Sequence, residues 1–177
     1  MSNWNKIFKP IVVLCVICVI VTGALAATNN VTAPIIREAI QEAQRLARME
    51  LLPEADDFTE VKGVEVENVS SIHTANNGVG TVITSNSKGY GGKVTVMVAF
   101  NPDATIKQIK VTESSETKGI GTKVTENTEY WAQYSGKSAV QALVLKEDVD
   151  AYSGATISSR AVNNAVNAAI EAYNAIA

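Results

Sequence analysis

Only two of the 177 residues are cysteines, Cys15 and Cys18, and none follows position 18. Most of the chain can therefore close no disulfide and supply no thiolate ligands for an iron–sulfur cluster. Histidine is equally scarce: His73 stands alone, too little for an imidazole-built zinc site. Aromatic residues make up 6% of the sequence, which leaves few platforms on which bases could stack. No block of basic residues is present. The first 27 residues hold Lys6 and Lys9 and no acid, leaving residues 28–177 with 13 basic and 18 acidic side chains. A weakly acidic body of this kind speaks against nucleic acid as a partner. There is no P-loop lysine motif, no internal repeat, no low-complexity tract and no strand–helix–strand alternation. What remains, 46% apolar and 19% charged, fits one folded domain of ordinary size plus an accessory segment.

That accessory segment is Ile11–Ala27, nearly all apolar. As a helix rising ~1.5 Å per residue it reaches about 25 Å, enough to span a bilayer core if its flanks share the interface. Trp4 and Phe8 stand beside Lys6 and Lys9, as in an interfacial belt, and Arg37 is the first basic residue beyond the segment. The positive flank implies a cytoplasmic N-terminus, residues 1–10, an anchor over residues 11–28, and a body outside the cytoplasm. Ala24-Leu25-Ala26 also matches a small-x-small cleavage site, so a secretory signal is the competing reading; the uncleaved anchor is preferred. Cys15 and Cys18 spell C-x-x-C, but inside an apolar helix they read as small lipid-facing side chains rather than a redox or metal pair. Neither follows Gly, Ala or Ser, so a lipoprotein anchor is not indicated.

Beyond the anchor, Thr32-Ala-Pro-Ile carries the signature of a helix start, with Thr32 as cap and Pro34 in the first turn. Apolar residues then recur at helical spacing to Leu52-Pro53, which makes residues 29–53 a helical stalk. β-prone stretches follow at Val61–Val69, Ser71–Thr74 and Thr81–Ser85. Lys93–Phe100 and Ile106–Glu113 are the clearest strands, and Asn101-Pro-Asp-Ala between them predicts a hairpin. Thr128–Tyr134 reads as a short helix closed by Ser135-Gly136, and Val140–Leu145 as one more strand. A C-terminal helix of about twenty residues should bury Val162, Val166, Ala169, Ile170 and Tyr173. The expected class is α+β: a transmembrane helix and stalk, then one antiparallel-sheet domain flanked by helices, residues 54–177.

The most informative stretch opens that last helix. Asp150-Ala-Tyr-Ser-Gly-Ala-Thr-Ile-Ser-Ser159 sets a threonine, Thr156, directly after a small-residue turn. The first turn of a helix has N–H groups without intrahelical partners and a partial positive charge, so it accepts a phosphate. A Ser/Thr-rich start that merely caps a helix is the plainer meaning. Two further glycine-bearing segments stand upstream, Lys88-Gly-Tyr-Gly-Gly-Lys93 and Glu116-Thr-Lys-Gly-Ile-Gly-Thr122. Glycines there permit close backbone approach to a flat ligand or a positive φ, though each segment alone is no more than a turn.

Together and in this order, the three segments resemble the FMN-binding domain family, in which Ser/Thr-Gly-Ala-Thr carries FMN as a phosphoester on its last threonine. With the apolar N-terminal segment, the layout is similar to the G subunits of Rnf electron-transport complexes. The resemblance implies covalent FMN on Thr156, with Asp150, Ser153, Gly154 and Ala155 as the recognition sequence of a separate flavin transferase. It further implies that Thr117, Gly119, Ile120 and Gly121 line the isoalloxazine, with Tyr90, Gly91, Gly92 and Lys93 closing another side and Glu116 among the cofactor-binding residues. Lys118 departs from the family, which often has proline there; the change would either loosen that loop or place a cation near the flavin that favours its reduced, anionic form. The absence of His or Cys beside Thr156 suits modification by another enzyme.

No residue is assigned a catalytic role in the chain by itself, and no metal site is read. Glu113, Glu116, Glu126 and Glu129 show no spacing that singles out a catalytic pair, Tyr130 and Trp131 read as packing residues, and His73 as a surface residue. The sequons Asn30-Val-Thr32 and Asn68-Val-Ser70 are triplets common by chance. The resulting expectation is an electron-transfer subunit of a membrane complex coupling ferredoxin/NAD chemistry to ion translocation, with the other subunits and the transferase as partners. Two alternatives stand beside it. One is the C subunit of sodium-translocating NADH:quinone reductase, a family usually longer than this chain. The other is an anchored binding or scaffold domain that never receives flavin.

Overall fold

The computed structural model describes residues 8–176; Trp4 and Lys6 of the expected interfacial belt lie outside the described residues. Two compact units divide the chain, Met1–Ala43 and Gln44–Ala177. The described residues of the first unit are helical. Helix α1 runs without a break over Lys9–Leu51, 43 residues, and its last two turns, from Gln44, belong to the second unit. Its apolar side chains from Ile11 to Leu25 are exposed, among them Leu14, Val19 and Ile20. This is a helix long and apolar enough to cross a membrane.

The helix start expected at Thr32 is not a start. The Thr28 hydroxyl donates to the Ala24 carbonyl and the Thr32 hydroxyl to the Thr28 carbonyl, so both threonines are satisfied as interior residues. Pro34 sits inside the helix. The carbonyl four residues back, on exposed Asn30, loses its usual donor but keeps access to its surroundings, and the helix continues.

The second unit is a five-stranded antiparallel meander, β1 (Phe58–Glu60), β2 (Val69–Ala75), β3 (Thr81–Lys88), β4 (Lys93–Phe100) and β5 (Ile106–Ser114), in sequential order across the sheet. Short helices α2 (Thr122–Thr125) and α3 (Thr128–Ala132) follow, then α4 (Thr156–Ile176). The fold is the expected α+β class. The hairpin of β4 and β5 forms as its turn sequence predicts, with Val98 opposite Ile109 and Phe100 opposite Ile106.

Period-two alternation gives the sheet two apolar faces. One face presents Ile72, Ile83, Val96, Val98 and Phe100 to α4, whose Val162, Val166, Ala169, Ile170 and Tyr173 are all buried, as expected. The ring of Tyr173 stacks on Phe100 with centroids 4.6 Å apart, and its hydroxyl donates to the Asn101 carbonyl at 3.0 Å. The other face presents Val82, Met97 and Ala99, covered by Ala47, Leu51, Leu52 and Ala55 at the end of α1 and just beyond it. Gln108 fastens this end by donating to the Glu50 and Leu51 carbonyls, at 3.1 and 2.9 Å, in place of the missing helical donors. Lys110 pairs with Glu50 and Lys107 with Glu54.

Three other local expectations fail. Val61–Val69 is mostly irregular, with positive φ at Gly63 (89°) and Asn68 (64°), and only its last residue enters β2. The edge strand is instead β1, just before it. Val140–Leu145 is not a strand: its backbone meets side-chain amides of α4 rather than a neighbouring strand. His73 is not an open surface residue but half-buried on β2, with the Arg48 guanidinium of α1 close enough to act on it electrostatically.

Candidate functional site

The N-terminus of α4 carries the geometry that its sequence suggests. Ala155 occupies the cap position: its amide donates to the Tyr152 carbonyl and its carbonyl accepts the Ser159 amide at 2.9 Å. An alanine offers no capping oxygen, and among the described residues no side chain accepts from the amides of Thr156, Ile157 or Ser158. Three donors therefore remain open at the positive end of a 21-residue helix. Gly154 turns the chain into the helix with φ of +80°, a conformation that any side chain would strain.

The loop ahead of the helix is held from α3. Gln133 Oε1 accepts the Asp150 amide at 2.6 Å, and the Asp150 carbonyl accepts the Tyr130 hydroxyl at 2.9 Å. The Tyr152 amide donates to the Ser159 hydroxyl at 3.0 Å. Tyr130 packs edge-on against Tyr152, and the Trp131 indole donates to the Val124 carbonyl, so both aromatics are packing residues, as expected. The Asp150 and Ser153 side chains are exposed.

A cleft of ≈ 370 Å³ opens at this helix end, lined by Tyr90, Glu116, Ile120, Gly154, Ala155, Thr156, Ile157 and Ser158. The fold thus brings the three glycine-bearing segments together, one wall from each. Tyr90 comes from the turn between β3 and β4; Glu116 and Ile120 come from the loop after β5. Tyr90, Ile120 and Ile157 are 71%, 53% and 53% exposed, an unusual grouping of large apolar side chains outside the core. Thr156 is half-buried between them.

Other residues of these segments shape the loops without lining the cleft. Gly119 has φ of +78°, and its amide donates to the Thr122 hydroxyl; the Thr117 carbonyl gathers the amides of Ile120 and Gly121. A Cβ on Gly91 would lie 2.3 Å from the Ser115 carbonyl oxygen, and one on Gly92 2.7 Å from Ser115 Cβ. Lys93 begins β4 opposite Lys88. Ile157 and Ser158 line the cleft although sequence reasoning gave them no role. Both stand inside the quoted stretch 150–159, and Ile157 is further marked as an apolar residue that the core leaves out.

The cleft fits FMN on the chemistry of its walls. Open helical amides and a hydroxyl suit a phosphate, and exposed apolar side chains suit the faces of a flat ring. The surrounding residues 89–171 match the family model of the FMN-binding domain. Residues 1–51 match a second model, the RnfG N-terminal region.

Relatives extend the match to the whole chain. It is 34% identical to the G subunit of the Na(+)-translocating ferredoxin:NAD(+) oxidoreductase complex of Acetobacterium woodii, over 97% of this chain and 93% of that one. It is 32% identical to the G subunit of the ion-translocating oxidoreductase complex of Methanosarcina acetivorans, over 99% and 98%. The chain belongs to the family of G subunits of ion-translocating oxidoreductase complexes. A crystal structure of NqrC from Shewanella oneidensis is also similar, at 28% identity and a TM-score of 0.48, over 65% of this chain and 63% of that one.

Proposed function

We propose that this chain is the electron-transfer subunit of a membrane complex that couples electron flow between ferredoxin and NAD to ion translocation, and that it carries FMN covalently on Thr156. The observation that carries the reading is the convergence of three glycine-bearing segments on Thr156, at open amides of α4, within a chain of the G-subunit family. Bound FMN would supply the redox chemistry, and the chain would fix its position and tune its potential. Thr156 and the open amides would hold the phosphate, with Tyr90, Ile120 and Ile157 against the ring. Asp150, Ser153, Gly154 and Ala155 would be read by the flavin transferase. Glu116, Thr117, Gly119, Gly121, Gly91, Gly92 and Lys93 would shape the surrounding loops.

Attachment would join Thr156 Oγ to the FMN phosphorus of FAD. The pyrophosphate bond breaks, AMP leaves and the threonine proton is lost to solvent. The basic flank of α1 favours a cytoplasmic N-terminus and an FMN domain outside the cytoplasm, where a covalent link would keep the flavin from being lost. The other subunits of the complex would be its partners. The test is intact mass after co-expression with a flavin transferase. A gain equal to FMN minus water, absent in Thr156→Ala, is expected; unmodified wild-type protein would overturn the reading.

A further inference from the structure

Glu116 is the only buried charged side chain among the described residues. A carboxylate taken out of water is costly unless its oxygens are filled, and here both are. Oε1 accepts the Tyr90 amide at 2.8 Å and the Gly91 amide at 3.3 Å; Oε2 accepts the Ser158 hydroxyl at 2.8 Å. The donors come from two sides, the turn between β3 and β4 and the first turn of α4. Two glycines make room for this group. A Cβ on Gly89 would stand 1.9 Å from Oε1, and one on Gly121 would stand 2.3 Å from Oε2. Gly89 and Gly121, two of the five glycines in the upstream segments, are thus explained by an internal carboxylate before any ligand is considered.

We infer that Glu116 and Ser158 form a latch that ties the Tyr90 turn to the first turn of α4 and so sets the opening of the cleft at Thr156. Glu116 is a positioning residue: it acts through the turn and the helix, whose Tyr90 and Thr156 line the cleft. The consequence for flavin rests on the function proposed above, whereas the latch belongs to the protein without flavin.

Two measurements separate these claims. The first is amide hydrogen exchange in the full chain, purified in detergent without exposure to a transferase. Glu116→Ala should accelerate exchange at Tyr90 and Gly91 at least tenfold while Val98 in the core stays protected. Ser158→Ala, which leaves the carboxylate in place, should accelerate it severalfold. Glu116→Gln should stay within about threefold of wild type, because its amide oxygen can accept both N–H groups and its NH₂ can donate to Ser158 Oγ. Unchanged exchange at Tyr90 and Gly91 in Ser158→Ala and Glu116→Ala overturns the latch. Should Glu116→Ala not fold, Ser158→Ala decides.

The second measurement is the visible circular dichroism of flavin attached by the transferase. Ser158→Ala should keep the mass gain and lose half or more of the flavin's dichroic intensity, with Glu116→Gln close to wild type. A wild-type spectrum in Ser158→Ala and Glu116→Ala overturns the positioning role. Wild-type protein that gains no mass overturns the flavin reading alone and leaves the exchange result standing.

Discussion

Asn167 on α4 treats Leu143 as a strand partner would: its Oδ1 accepts the Leu143 amide at 2.8 Å and its Nδ2 donates to the Leu143 carbonyl at 2.9 Å. Asn163, one turn earlier, donates to the same carbonyl at 2.9 Å, and Asn174 donates to the Ala139 carbonyl at 3.0 Å. Side-chain amides thus supply the backbone partners that a sheet would otherwise provide. Asn167→Leu removes two of the three bonds at Leu143: the carbonyl keeps Asn163, but the amide is left without a partner. The expected cost is about 1–3 kcal/mol, read as a lower urea midpoint with an unchanged slope.

This ladder explains which parts of the fold were legible. The β4–β5 hairpin and the buried stripe of α4 follow from local alternation, local periodicity and a turn sequence, so residues near in sequence decide them. Val140–Leu145 has the same β-prone composition, but its state depends on side-chain amides far along the chain, and single-residue propensity carries no information about those. At the site, the helix start at Thr156 is legible because its physics is local, but that physics only permits a phosphate there; the family resemblance is what names FMN. The role of Glu116 is not legible, since its donors lie 26, 25 and 42 residues from it. Nor is the unbroken course of α1, where Thr32 and Pro34 imitate a start that apolar helical neighbours override.

Gly121 and Gly154 should fail for different reasons when replaced by alanine. At Gly121 the added methyl meets Glu116 Oε2 at 2.3 Å, Glu116 Cβ at 2.6 Å and Ser158 Oγ at 2.9 Å. Repacking a buried charge is the only escape, so a loss of about 2–3 kcal/mol is expected. At Gly154 nothing lies within 4 Å, and the cost is the left-handed φ of +80°, about 1 kcal/mol. Denaturation midpoints should rank wild type above Gly154→Ala and Gly154→Ala above Gly121→Ala; equal losses would contradict the two causes.

His73 gives the fold a pH dependence of defined sign. Burial and then the nearby Arg48 guanidinium hold its pKa below the ordinary 6.5, while Glu60 pulls weakly the other way. Its Nδ1 is buried without a hydrogen-bond partner. The folded protein therefore prefers the neutral ring, and the unfolded chain takes up a proton first as pH falls. The stabilising preference is present above pH 6.5 and is lost between that value and the lower folded pKa. The denaturation midpoint should drop when the pH is lowered from neutral to about one unit below the ordinary histidine value, and His73→Gln should flatten that slope. An equal drop in His73→Gln would assign the slope to other groups.

Lys118 tests the electrostatics of the proposed flavin site. It is exposed, makes no ion pair among the described residues, and belongs to the loop that presents Ile120. A cation there favours the negative charge that reduction places on a flavin, so Lys118→Ala should lower the midpoint potential. For a solvent-screened charge worth up to about 1 kcal/mol, the two-electron shift is roughly 10–20 mV. Spectroelectrochemistry of the flavinylated protein reads it directly, and no shift would remove Lys118 from the account.

The end of α1 is structurally part of the sheet unit, and truncation should reveal it. A chain beginning at Gln44 retains Ala47, Leu51 and Leu52 over Val82, Met97 and Ala99. It should fold as a soluble monomer. A chain beginning at Pro53 keeps every strand but loses Leu51 and Leu52, whose exposures in the intact fold are 2% and 0%. Burying a leucine is worth about 2 kcal/mol, so the loss is about 4 kcal/mol, or roughly 10–15 °C in melting temperature for a domain of this size. The uncovered face would also present Val82 and Met97 to water, so light scattering should detect association of the shorter chain alone. Equal melting temperatures for the two truncations would mean that α1 ends as a linker rather than as the cover of the second core.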